Sequence, residues 1–327
     1  MEFALDAGQI ELQRTVARVC ADRLPFDSIA AREHVPVDRR VWADMAALGV
    51  LGLLVAEDAG GSGLGVLDAA LVFEQLGSHL VPGPVLWTTL AAPFVDGAVT
   101  GTVLVGGVVA DTGTDAPLAI EHATDVDVVL VVHADAVVGH RTAGLAAPDP
   151  LVPLDPLTPV GVFRDLGAGE RLGDRDAARE LRTLGTVLSA AMLVGISGRA
   201  LEVARDYALE RQQFGVPIGS FQAVKHLLAD MHVRHGLAQS ATYAAAALVQ
   251  GPRDDDPAAA GARAKLLAGD AAIANASTAV QVLGGMGFTW AMLPNHLLKR
   301  AWVLEQAFGT ADDHASELGA ALVGGGR

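Results

Sequence analysis

The sequence predicts a multi-domain α and β protein whose elements run in the order α, β, α. Three observations carry that reading. Residues 1–97 and 173–327 are rich in Ala, Leu, Glu and Arg with apolar positions at helical spacing. Residues 98–172 change to short β-branched runs separated by Pro, Asp and Gly. Apolar residues make up 51% of the 327, enough for several cores and too many for a disordered chain.

In the first region, Ile10, Leu12, Val16, Val19 and Leu24 recur at near-helical spacing, and a second helix is expected over 41–48. Gly60, Gly61, Gly63 and Gly65 then mark a loop. A further helix follows over 66–77, and Pro82 and Pro84 start another that ends near Gly97. In the second region the runs 102–105, 126–132 and 160–163 read as strands of a small β domain, with dense turn residues over 146–159. In the third, a long helix is expected over 174–212, broken by Pro217 and Gly219. Helices follow over 221–249, ended by Gly251 and Pro252, and over 256–284, then from near Pro294 and near Ala311. Long helices joined by short loops make a bundle.

Charge and cysteine content exclude several functions. Lys and Arg total 23 against 38 Asp and Glu, a formal charge of −15. Nucleic acid and anionic membrane surfaces both call for clustered positive charge. The uncharged stretches 75–95 and 271–298 are interrupted by prolines, glycines and polar residues, so neither reads as a membrane span. Residues 1–6 lack the basic start and apolar run of a signal peptide. The single cysteine, Cys20, allows no intrachain disulfide and no multi-cysteine zinc site, which fits a cytoplasmic location. No P-loop, nucleophile elbow or dinucleotide fingerprint is present. His232 and His235 have metal-pair spacing beside His226, but Asp230 lies off their face, so they read as ordinary helix positions.

Two segments stand out. Residues 210–226 place Arg211, Gln212 and Gln213 at a helix end, followed by Phe214, Gly215, Pro217, Ile218 and Gly219. Arginine can fork two oxygens of a phosphate, so the corner suits an anion. Residues 281–288, Gln-Val-Leu-Gly-Gly-Met-Gly-Phe, close an apolar helix with three glycines in four residues. One glycine is an ordinary cap; three point to a larger body passing close over the backbone.

In this order and separation the segments resemble the acyl-CoA dehydrogenase family. Arg211 to Gly215 looks like its R-x-x-F-G flavin-phosphate motif, and Gln281 to Phe288 like its Q-x-L-G-G-x-G-[FY] motif. Residues 51–64 and the following helix are similar to its first domain. The resemblance implies an all-α N-terminal domain (1–97), a reduced β middle domain (98–172) and a C-terminal four-helix bundle (173–327). It also implies FAD shared across a subunit interface. Arg211 would meet the pyrophosphate, with Gln213, Phe214 and Ile218 lining the corner, and Gln281, Gly284 and Gly285 would hold the adenosine end.

The sequence departs from the family where the chemistry lies. The usual base is a carboxylate just before Gly-Thr; before Gly309-Thr310 stands Phe308, which accepts no proton. The alternative base position of some members falls near Gly185, with Glu180 more than a turn away. The family's flavin-facing T-E-x-x-A-G-S-D and W-I-T stretches are absent from residues 98–172. The chain therefore looks like the shorter, base-lacking subunit of actinobacterial α2β2 steroid side-chain acyl-CoA dehydrogenases. That implies a partner subunit of the same family, an acyl-CoA substrate and an electron-transfer flavoprotein. A homo-oligomeric flavoenzyme using Glu305 as base, and a flavin-free structural subunit, remain the alternatives.

Overall fold

A computed structural model describes residues 5–110, 117–251 and 256–324. Residues 1–4, part of the start tested for a signal sequence, and Pro252 lie outside it. The described residues form two compact units. One takes the chain up to Ala30, then Ala70–Val81, then everything from Thr186; the other takes Ala31–Ala69 and Pro82–Gly185.

Helix α1 (Ala7–Arg23) opens with a capping box: Gln9 N–H donates to the Asp6 side chain, and the Gln9 side chain accepts from Asp6 N–H. Helices α2 (Arg39–Ala47), α3 (Val66–Ser78) and α4 (Val85–Ala91) follow. The last ends well short of Gly97. Pro93 lacks a backbone donor, and 92–101 form successive turns.

Among the described residues the β region has seven strands rather than three. These are β1 (Val105–Val109), β2 (Leu118–Glu121), β3 (Val128–Val132), β4 (Val137–Arg141), β5 (Asp149–Leu151), β6 (Val160–Phe163) and β7 (Glu170–Gly173). One sheet has the order β1-β3-β4-β7, with β1 and β3 parallel; the other has β2-β6-β5, all antiparallel. All five residues of β3 are buried, and Ile120, Val129, Val131 and Phe163 join in one core. The run expected at 102–105 begins three residues later, at Val105, and Gly107 in it lies against Trp87, where a Cβ would come within 2.3 Å of the indole.

Helix α5 (Arg175–Glu210), capped by the Asp174 side chain, ends two residues before the expected Gln212. The chain turns there into a hairpin, β8 (Gln212–Gln213) with β9 (Val216–Pro217), so the pairing rather than Pro217 stops the helix. Helices α6 (Gln222–Gln250), α7 (Pro257–Leu283), α8 (Leu293–Gln306) and α9 (Ala311–Gly324) complete the chain. Helix α7 packs on α6, α8 and α9. Helix α3 crosses α5 glycine to glycine: a Cβ on Gly77 would meet the Met192 carbonyl at 2.1 Å, and one on Gly195 the Glu74 carbonyl at 1.9 Å.

Among the described residues two helices are long and apolar enough to cross a membrane by length and composition, α5 and the stretch from Pro257 to Met286. In α5 the apolar stretch is 78% buried within the protein. Cys20 is buried, which pushes its thiol up to about 12.

Candidate functional site

The Arg211 corner is built by backbone pairing. Arg211 N–H donates to the Tyr207 carbonyl and its own carbonyl accepts from Ile218 N–H, both at 2.8 Å. Between the paired residues Gln213 and Val216 the turn has two consecutive positive φ values, +54° at Phe214 and +81° at Gly215. Glycine suits that conformation; a bulky residue such as Phe214 carries about 1–2 kcal/mol of strain there. Packing within the chain offers little return, because Phe214 is 93% exposed and touches Phe221 only edge-on, at 6.3 Å between centroids. Arg211 and Gln213 are exposed and Ile218 is half-buried. Among the described residues no ion pair engages the Arg211 guanidinium.

The three glycines after α7 have three different reasons to be there. Gly284 adopts φ +66°, ψ −148°, open essentially to glycine alone. Gly287 is held by packing, since a Cβ would meet the Val280 carbonyl at 2.6 Å and Leu283 at 2.9 Å. Gly285 has an ordinary backbone, and a Cβ there would meet nothing within 4 Å. Gln281, Gly284 and Gly285 are all exposed. Beyond them Met286, Phe288 and Trp290 are 54%, 74% and 53% exposed, with the Lys299 ammonium 3.3 Å from the Trp290 ring centroid.

The two motifs lie at the same end of one helix pair. Arg234 on α6 donates to Asn275 Oδ1 (3.0 Å) and Thr278 Oγ1 (3.4 Å) on α7, and Asn275 Nδ2 donates back to the Met231 carbonyl. Following these antiparallel helices outward from that contact brings the start of α6 level with the glycines that end α7. The Arg211 segment, which runs into the start of α6, and the glycines that end α7 therefore lie at the same end of this pair. That combination suits an anionic group carrying a flat ring.

The Phe308 corner is the opposite kind of place. Phe308 is buried at φ +58° and Gly309 follows at φ +102°. Lys265, 1% exposed, reaches in from α7 and donates to the Leu304 and Ala307 carbonyls at the end of α8. Burial lowers its ammonium to about 7, and the nearby Glu305 charge pulls it back up. Glu305 Oε1 accepts from Ala311 N–H at 2.8 Å, while Thr310 donates twice to Asp313, holding that carboxyl below its usual range. His314 lies under Gly309, and burial together with the Lys265 charge lowers its pKa. Glu180 is exposed on α5 and Gly185 buried.

Residues 6–96 match the model of the acyl-CoA dehydrogenase N-terminal domain, and residues 177–323 match that of the C-terminal domain. The chain belongs to the acyl-CoA dehydrogenase family. Among its relatives, acyl-CoA dehydrogenase FadE34 of Mycobacterium tuberculosis is 34% identical over 298 residues, which is 80% of this chain but only 39% of that protein. Acyl-CoA dehydrogenase IpdE2 of Mycolicibacterium smegmatis is 28% identical over 91% of this chain and 93% of its own length. The ChsE4-ChsE5 complex from Mycobacterium tuberculosis has the same fold, with a TM-score of 0.85 and 24% identity over 99% of both chains. Acyl-CoA dehydrogenases use FAD.

One group in this family member escaped the sequence reading. Glu74 is 7% exposed within α3; it accepts from Tyr243 Oη and from Gln239 Nε2 (3.0 Å), and burial raises its pKa. A carboxylate inside the apolar run 69–76 was the available signal. His235 takes Ser197 Oγ as partner at 2.9 Å, and among the described residues no cluster of three metal-binding side chains exists.

Proposed function

We propose that this chain is the flavin-gripping, base-lacking subunit of a heteromeric acyl-CoA dehydrogenase. FAD, when bound, supplies the hydride acceptor for α,β-desaturation of a CoA thioester. The residues present fit the phosphate-bearing half of that cofactor. Gly285 leaves open backbone that nothing in the chain requires, and Phe214 holds a strained, exposed ring beside an unpaired arginine. Arg211 would bind the pyrophosphate, Gln213, Phe214 and Ile218 would line it, and Gln281, Gly284 and Gly285 would orient the adenosine end.

One observation carries the base-lacking part. The corner that should present a carboxylate presents buried Phe308, and Glu305, one turn earlier, already accepts the Ala311 N–H. The α-proton must then go to a carboxylate of a second subunit, which also supplies the pocket for the flavin ring. The ChsE4-ChsE5 neighbour, itself a complex, supports such an arrangement. In this reading the assembly is a cytoplasmic α2β2 enzyme, the acyl group is steroid side-chain derived, and electrons leave to an electron-transfer flavoprotein.

The test is expression alone and together with an acyl-CoA dehydrogenase-family subunit encoded beside it. Stoichiometric FAD and desaturation are expected from the pair only; both from this chain by itself would refute the proposal. Arg211→Ala should strip flavin from the pair. Full flavin retention would instead favour a structural subunit.

A further inference from the structure

Two buried basic groups sit under the turn that joins α8 to α9. Lys265 reaches in from α7 and donates to the Leu304 and Ala307 carbonyls. A neutral amine has two N–H groups, so both are used; an ammonium brings a third hydrogen, for which the described residues supply no acceptor. His314, 5% exposed on α9, packs its ring beneath Gly309, where a Cβ would stand 2.9 Å from Nε2. Neither ring nitrogen has a hydrogen bond of good geometry: Glu317 Oε2 is 3.5 Å from Nδ1, and the Phe308 backbone lies beside the ring. The turn above is held in place rather than relaxed, since Phe308 and Gly309 are consecutive residues at positive φ.

The charged groups around the pair are unequal. On α8, Glu305 faces Lys265, with its oxygens already accepting from Ala311 N–H and Gln306 Nε2. On α9, Glu317 faces His314 from the solvent side, 71% exposed, and Asp313 is held by Thr310. From α6, also packed on α7, no charged group among the described residues acts on either one. Two cations cannot both be carried in so dry a site. Lys265, beside Glu305, takes the first proton on acidification, and burial together with that charge resists a second on His314. We infer that the pair is a proton-operated latch: neutral His314 props the Phe308–Gly309 turn closed, and a proton on its ring drives it from beneath Gly309 toward Glu317 and solvent, opening the turn. The latch does not rest on the functional proposal.

The test is hydrogen–deuterium exchange of the full chain across residues 305–315, with the buried centre of α5 as internal reference, from about pH 7.5 down to about pH 5. Corrected for the intrinsic exchange rate, opening of 305–315 relative to α5 should rise by up to about tenfold per pH unit below about 6.5. In His314→Gln, which stays neutral, the ratio should not change with pH. On wild type, the His314 ring protons followed by NMR should titrate with a midpoint below about 6.5, and the Gly309 amide shift should follow the same curve. Lys265→Met removes the competing charge and should move that midpoint up. A flat exchange ratio in wild type, the same pH dependence in His314→Gln, or a His314 midpoint that ignores Lys265→Met would overturn the inference. The wild-type titration stands even where a variant fails to fold, and a midpoint at or above about 6.5 there would overturn it too.

Discussion

Alanine substitution at the three glycines after α7 separates packing, backbone and ligand. Gly287→Ala drives a methyl to 2.6 Å from the Val280 carbonyl, an overpacked contact costing about 1–3 kcal/mol of stability. Gly284→Ala forces a side chain into φ +66°, ψ −148°, a further cost of about 1–3 kcal/mol. Gly285→Ala meets nothing within 4 Å and needs no unusual backbone. It should leave stability unchanged or raise it by about 0.4–1 kcal/mol, through the smaller entropy of the unfolded chain. If the adenosine end of FAD passes over this backbone, the same methyl is overpacked against the ligand. A loss of about 1–3 kcal/mol there is about 5- to 150-fold in flavin affinity. The assay is FAD titration of the co-expressed pair, followed by flavin absorbance, beside urea unfolding of each variant. Gly285→Ala with wild-type flavin affinity would refute the reasoning, and so would a stability loss equal to that of Gly287→Ala.

Two other outcomes bear on the Phe308 corner. Glu305→Gln keeps an acceptor for the Ala311 N–H, so the pair should keep its flavin and turn over within about threefold of wild type; a true general base would cost about 100-fold or more. Lys265 has a folded pKa of about 7, below its unfolded value. Between roughly pH 7 and 10 the unfolded chain therefore binds the extra proton, and stability rises by about 1.4 kcal/mol per pH unit. Urea unfolding free energies of wild type and Lys265→Met at pH 7 and pH 9 should diverge by about 2 kcal/mol in favour of wild type at the higher pH. Parallel profiles would show that Lys265 keeps its proton on folding.

What was legible in the sequence follows from the range of the interactions. The helices of the C-terminal region were readable because Asp174, Asp256 and the apolar spacing act locally. Both motif segments were readable as segments. Their placement at the same end of one helix pair was not, because it depends on Arg234 finding Asn275 across two helices. The hairpin at 212–217 was missed because each strand is two residues long and its turn is Phe-Gly, without the Asn or Asp that usually marks positive φ. Strands β2, β4, β5 and β7 were missed because they carry Ala, Glu, Gly, His, Pro and Arg where β-branched residues were sought, and are set by their neighbours in the sheet. Lys265 and His314 belong to no motif, and only packing brings them together.

The Phe308 corner is fixed by its neighbours. A phenylalanine at φ +58° is strained by about 1–2 kcal/mol, so its surroundings must hold it. Lys265 ties the Leu304 and Ala307 carbonyls, Glu305 and Asp313 cap the start of α9, and His314 fills the space below Gly309. Every one of these contacts runs to backbone or to a neighbouring side chain. These contacts hold the backbone of the corner, and a buried ring contributes more to stability there than an unpaired buried carboxylate would. Under the proposed function, the absence of a base at this position costs the chain its own proton transfer and leaves its fold intact. In that reading another subunit carries the proton transfer, and the outward-built Arg211 corner is the part such a partner would still require.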